Sequence, residues 1–138
     1  MKKIFLTLLS AVLLSTTIQA QETQKKTVQT QENKPVIETV NVKTFKELLQ
    51  NQKGKVVLLD VRTAQEYEQG HIENAKNIDV LQNDFVQKIE RLDKNTPVYV
   101  YCRSGHRSMK AAQILKEHGF TKVYNLAGGY IAWSKENK

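Results

Sequence analysis

The sequence predicts an α/β fold, a three-layer sandwich with a mainly parallel central sheet flanked by helices. Short apolar runs of strand length alternate along the chain with segments of helical periodicity. One of those runs, Val56 to Val61, is almost continuously apolar apart from Asp60, the pattern of a parallel strand covered on both faces. The lone cysteine, Cys102, directly follows another such run, Val98-Tyr99-Val100-Tyr101, and precedes a helical pattern. Ligands of open α/β sheets bind beyond the carboxyl ends of the strands, which is where this thiol falls.

The elements follow in order. Val36, Ile37 and Val40 mark a first short strand near the start of the domain at Pro35. Thr44-Phe45-Lys46-Glu47 reads as a capping box opening a helix from about Phe45 to Gln50. After the Val56–Val61 strand, Thr63-Ala64-Gln65-Glu66 forms a second capping box, and Gly70 is placed to end that helix. Asn77-Ile78-Asp79 reads as a short strand, and the spacing of Phe85, Ile89 and Leu92 predicts a helix from about Asp84 to Arg91. Pro97 can only begin a strand, which Val98 to Tyr101 continue. From Ser108 to His118, Met109, Ala112 and Leu115 give a helix an apolar face, closed by Gly119, where His118 would cap free carbonyls. Val123, Tyr124 and Leu126 form the last strand. Ala127-Gly128-Gly129 then turns into a short helix carrying Tyr130, Ile131 and Trp133.

Before the domain lie two segments of different character. Lys2 and Lys3, the apolar run Ile4 to Leu14 and the small residues ending at Ala20 have the three-part layout of a secretory signal peptide over residues 1–20. The apolar run is well short of the roughly 20 residues that span a bilayer. Residues 21–34 are Gln, Thr, Lys and Glu with Val28 as the one aliphatic, too polar to offset chain entropy, and read as a disordered linker. The remainder, residues 35–138, fits one domain, with a monomer as the default. The net charge of +7 becomes +5 once Lys2 and Lys3 are removed, and it is spread along the chain. That favours small anions as ligands and, without aromatic–basic interleaving, gives no support to nucleic-acid binding. The leader directs the chain to the periplasm or the exterior, with no stable membrane association after its removal.

A thiol between a strand end and a helix start faces unpaired backbone N–H groups, and the helix dipole with Arg103 and Arg107 adds positive potential. Both favour thiolate over thiol, so Cys102 is read as a nucleophile.

Several stretches together resemble the rhodanese family in its single-domain form. They are Asp60-Val61-Arg62 with Glu66-Tyr67, Gly70-His71-Ile72-Glu73-Asn74-Ala75 with Asn77-Ile78, Cys102-Arg103-Ser104-Gly105-His106-Arg107-Ser108, and Gly128-Gly129-Tyr130 with Trp133. The resemblance covers residues from roughly 40 to 134. It implies a rhodanese fold and transfer of a sulfane sulfur, from a small anionic donor such as thiosulfate to cyanide or a thiol, through a persulfide on Cys102. No cofactor or metal is called for.

In that chemistry the N–H groups of residues 103–107 would surround the sulfur, and Gly105 lets the loop bend. Ser104 and His106 contribute mainly backbone, while Arg103 and Arg107 offer paired donors to the sulfonate end of the donor. Asp60 and Arg62 leave the end of a central strand and brace the loop. His71 is read as a turn-holding residue, and Gly128-Gly129 with Tyr130 and Trp133 as the packing of the last helix on the sheet.

Three other activities use similar residues. A cysteine phosphatase of the related fold has five residues between cysteine and arginine, whereas four, Arg103 to His106, separate Cys102 from Arg107, and the shorter loop suits one sulfur better than a phosphate. Dithiol redox chemistry wants a second cysteine to resolve the mixed disulfide. A module that carries persulfide or binds a partner without turnover often lacks the nucleophile that this chain keeps.

Overall fold

A computed structural model of the protein describes residues 36–138. The signal peptide and linker expected at residues 1–34, and the domain start at Pro35, lie outside the described residues. Five strands, β1 (Ile37–Val40), β2 (Val57–Asp60), β3 (Lys76–Asn77), β4 (Val98–Tyr101) and β5 (Val123–Leu126), form one parallel sheet in the order β1-β5-β4-β2-β3. The register sets Leu59 beside Val100 and Asp60 beside Tyr101, so β2 and β4 end side by side.

Residue alternation along the central strands sorts the core into two faces. Leu59, Val61, Val98, Val100 and Val123 face α3 (Phe85–Ile89) and α4 (His106–Glu117), packing on Phe85, Ile89, Ala111, Ala112 and Leu115. Leu58, Tyr99, Tyr101 and Leu126 face the other way, onto Val42 and Phe45 of α1 (Val42–Asn51), Tyr67 of α2 (Ala64–Glu68), and Tyr130 and Trp133 of α5 (Gly129–Glu136). Every residue of β4 is buried, as a strand covered on both faces requires. The expected three-layer α/β sandwich is the fold observed.

Local chemistry explains where the helices start. Thr63 Oγ1 accepts from the Glu66 N–H at 3.2 Å while Glu66 Oε2 accepts from the Thr63 N–H at 3.0 Å, closing the predicted capping box of α2. The other predicted box is incorrect. The cap of α1 is Asn41, whose Oδ1 accepts from Thr44 N at 2.9 Å, so Thr44 lies one turn inside a helix that begins earlier than the sequence pattern implied. β3 covers Lys76–Asn77 rather than Asn77 to Asp79, so Ile78 and Asp79 lie past its end. α4 starts at His106 rather than Ser108, because Gly105 takes φ +110° as its N-cap and its carbonyl accepts from Met109 N at 3.2 Å. His118 differs from expectation as well: its Nδ1 meets Glu90 Oε1 at 2.7 Å instead of capping carbonyls with its ring.

Candidate functional site

Cys102 is the first residue after β4, and the loop to α4 comprises only Arg103, Ser104 and Gly105. The residue is 1 % exposed, deeper than a surface nucleophile would be, and its β-carbon side joins the apolar cluster under α4. The sulfur itself meets donors. Gly105 N–H reaches Sγ at 3.1 Å and Ser108 Oγ lies 3.3 Å away. Burial is the largest single influence on the thiol and opposes its ionisation. The Ser108 hydroxyl and the N–H groups of Ser108, Gly105 and Ser104 together outweigh it, so the thiol pKa falls below its ordinary value. Ser108 Oγ also lies 3.1 Å from Gly105 O. A hydroxyl has one hydrogen, so it can donate to only one of these two acceptors at a time.

Two carbonyls at the start of the loop are held by backbone donors. Tyr130 N–H donates to Cys102 O at 2.8 Å and Ile131 N–H donates to Arg103 O at 3.1 Å. These are N–H groups of the first turn of α5, which no helical carbonyl can reach, so the helix start binds the loop backbone. Gly129 makes that approach feasible: its φ is +56°, and a Cβ there would lie 2.5 Å from Cys102 O and 2.6 Å from Arg103 C.

The charged residues divide into braced and unbraced groups. Arg107 clasps Glu66 through two parallel bonds, Nη1 to Oε2 and Nη2 to Oε1, each 2.8 Å. The clasp, aided by the Thr63 cap and opposed by partial burial, holds the Glu66 carboxyl down at about 2. Asp60 is fully buried and accepts from Arg62 Nη2 at 2.6 Å, from Arg62 Nε at 3.0 Å and from Tyr101 OH at 2.7 Å. Arg62 also donates to Gly70 O at 2.7 Å, and Tyr101 Oη accepts from Ile72 N–H at 3.0 Å. Burial and the Asp60 carboxylate push the Tyr101 hydroxyl pKa strongly upward, keeping it a donor. This network ties the end of β2 and the segment after α2 to the residue immediately before Cys102.

Arg103, Ser104 and His106 are outward, with Ser104 Oγ 3.4 Å from His106 Nδ1. A cavity of about 420 Å³ opens beside the loop with Arg103 in its wall. His71 stacks on Tyr67 with ring centroids 3.7 Å apart, and its Nδ1 meets Tyr67 O at 2.9 Å, fixing the turn after α2.

The family model for the rhodanese-like domain matches residues 42–136 of this chain. The chain belongs to the rhodanese-like domain family. A thiosulfate sulfurtransferase of Coxiella burnetii is 41% identical over 81 residues, covering 59% of this chain and 74% of that protein. The protein YqhL of Bacillus subtilis, which is uncharacterized, is 42% identical over 84 residues, 61% of this chain and 65% of its own length, just under two thirds. In structure, the chain is similar to a rhodanese-like domain protein of Staphylococcus aureus, with 31% identity, a TM-score of 0.61, and coverage of 70% of this chain and 90% of that one.

Within this rhodanese-like domain the structure brings Cys102, Gly105 and the Ser104 amide together and sets Asp60 and Arg62 behind them. The Arg107 guanidinium gives two of its five N–H donors to Glu66 and stays partly exposed. Sequence reasoning missed Ser108 and Glu66 as site residues. Glu66 had already been assigned to the cap of α2, yet a carboxylate has acceptor capacity for both the cap and a guanidinium. Ser108 sits one helical turn past Gly105, a spacing that returns its side chain to the loop.

Proposed function

We propose that the protein is a thiosulfate-type sulfurtransferase working through a persulfide on Cys102. The observation that supports it is a buried thiol whose sulfur accepts from the Gly105 amide and the Ser108 hydroxyl, with its pKa lowered against the pull of burial. In the first step the Cys102 thiolate attacks the sulfane sulfur of the donor. The new S–S bond forms as the donor's own S–S bond breaks, and sulfite leaves with that electron pair. The Cys102 persulfide anion left behind is a charge the same donors can stabilise. In the second step an acceptor thiolate or cyanide attacks the outer sulfur, and Cys102 leaves as thiolate.

Arg107 acts as a positioning residue in this reading, joining the start of α4 to α2, while Arg103 is the arginine open to solvent and to an anionic substrate. Burial of Cys102 restricts the first step to a donor with its sulfur at a narrow end, which thiosulfate has.

The test is mass spectrometry of the protein after incubation with thiosulfate. Addition of one sulfur atom on Cys102, removed by cyanide and absent in Cys102→Ser, is expected. A protein that stays unmodified while hydrolysing an aromatic phosphate overturns the assignment. The exported location rests on Lys2, Lys3 and the apolar run that follows. It predicts that protein recovered from fractionated cells lies outside the inner membrane and starts near Gln21. An intact leader on a cytoplasmic product contradicts it.

A further inference from the structure

On the side of the sheet that carries α1, α2 and α5, the amino end of β2 is left open. Val56 and Leu58 point the same way along the chain, and Val56 is 37% exposed although it is apolar. They floor a cleft of about 380 Å³, walled by Leu49 of α1, Trp133 of α5 and Ile72 from the segment before β3. Small-molecule sites usually measure about 300–1,000 Å³. Neither Cys102 nor any residue that touches its sulfur lines this cleft. It is separate from the nucleophile.

The polar groups of the cleft gather at one turn. Ala75 N–H donates to Ile72 O at 3.0 Å, and the two residues enclosed are Glu73 and Asn74. Asn74 holds φ at +67°, the one non-glycine residue in the left-handed region among the described residues. Glycine would take that conformation at lower cost, whereas asparagine brings an amide to the rim. Neither side chain has a hydrogen-bond or ion-pair partner among the described residues. Glu73 is also the one charged residue of the lining, in a chain whose net charge is +7. Lys46 lies over the Trp133 ring, 4.9 Å from its centre, but it is held there by Asn137 Oδ1 at 2.6 Å and does not line the cleft.

An aromatic and aliphatic interior favours an apolar body, and a free carboxylate at the rim favours a cation. We propose that this cleft is a second ligand site and that it takes a small organic amine, a compact ring carrying one ammonium group. The ammonium meets Glu73, the Asn74 amide oxygen accepts one of its hydrogens, and the ring lies against Val56, Leu58, Ile72 and Trp133. Binding there does not depend on persulfide chemistry at Cys102.

Trp133 is the single tryptophan of the chain, so its fluorescence reports on the cleft directly. The experiment titrates the full chain with phenethylamine, and in parallel with the neutral 2-phenylethanol and the anionic 3-phenylpropionate, which share its ring. Wild type is compared with Glu73→Gln, a change at an exposed residue with no partner to lose, and matching melting temperatures verify the fold. The expected result is a saturable change with phenethylamine, bound about twofold to fivefold more tightly than the alcohol, as an exposed ion pair provides. The carboxylate should bind most weakly. In Glu73→Gln the preference for the amine should vanish while the affinity for the alcohol is kept.

Amide chemical shifts locate the binding. With phenethylamine they should centre on Leu49 and on Ile72 to Ala75, leaving Ser104 and Gly105 unmoved, and Cys102→Ser should bind as wild type does. No saturable response, shifts centred elsewhere, equal affinity for amine and alcohol, or a preference that survives Glu73→Gln overturns the site. A protein that binds the amine at Glu73 yet never gains sulfur from thiosulfate refutes the transferase reading and leaves this site standing.

Discussion

Replacing Glu66 by Gln isolates the clasp that fixes the start of α4 relative to α2. Glutamine keeps the shape and can still serve the Thr63 cap, but it loses the charge that Arg107 grips through two bonds of 2.8 Å. The carboxyl pKa of about 2 in the folded protein, against 4.5 for the free group, corresponds to about 3 kcal/mol at most. The two side chains are 26% and 27% exposed, so solvent screening reduces this to about 1–2 kcal/mol.

Because the folded-state pKa is depressed, the contribution is present above pH 4.5 and is lost as the pH falls toward 2. Urea unfolding should therefore show the variant about 1–2 kcal/mol less stable than wild type at pH 7, with the gap closing as the pH approaches 2. The substitution has a second signature. Arg107 interacts with the Cys102 charge, and without Glu66 to offset it, the guanidinium should draw the thiol pKa lower. The pH profile of alkylation by iodoacetamide would then move to more acid values. A stability gap that does not depend on pH, or a thiol profile that moves the other way, refutes the reasoning.

Ser108→Ala removes the largest of the influences that favour the thiolate. The Cys102 pKa should rise and alkylation at neutral pH should slow, with little change in melting temperature, and an unmoved profile would exclude Ser108 from the cradle. Gly129→Ala forces a Cβ to within 2.5 Å of Cys102 O, which only a shift of α5 can relieve. A loss of at least about 2 kcal/mol in unfolding free energy, with faster Cys102 alkylation as the loop opens, is expected. Wild-type stability and reactivity would contradict the close approach.

The fold was legible because its signals are local. Continuous apolar runs announce buried parallel strands, and Thr63 with Glu66 satisfies a capping rule contained within four residues. The cap of α1 was misplaced because Asn41 and Thr44 are both good N-cap residues three positions apart. The choice between them was decided by burial of Val42 and Phe45 against the sheet, a tertiary effect. At the site, Cys102 and Gly105 could be read from their place between strand and helix. The Glu66–Arg107 clasp could not, since its partners are 41 residues apart and each already had a sufficient local role. The depth of Cys102 was likewise hidden, because it depends on helices packed over it from both sides of the sheet.

These failures share a cause that bears on how the thiol is activated. A strand-to-helix turn supplies N–H groups, but it does not by itself decide which way they point. At Cys102 the start of the loop is held by α5, distant in sequence, whose first-turn amides bind the Cys102 and Arg103 carbonyls, while the next peptide gives its Gly105 N–H to the sulfur. The glycine pair at 128–129 thus does more than close the sheet. A side chain at Gly129 would occupy the space the loop carbonyls need, so the smallest residue in the last helix sets the geometry of the nucleophile. Because that helix holds the loop carbonyls, any force that displaces α5 should alter thiol reactivity.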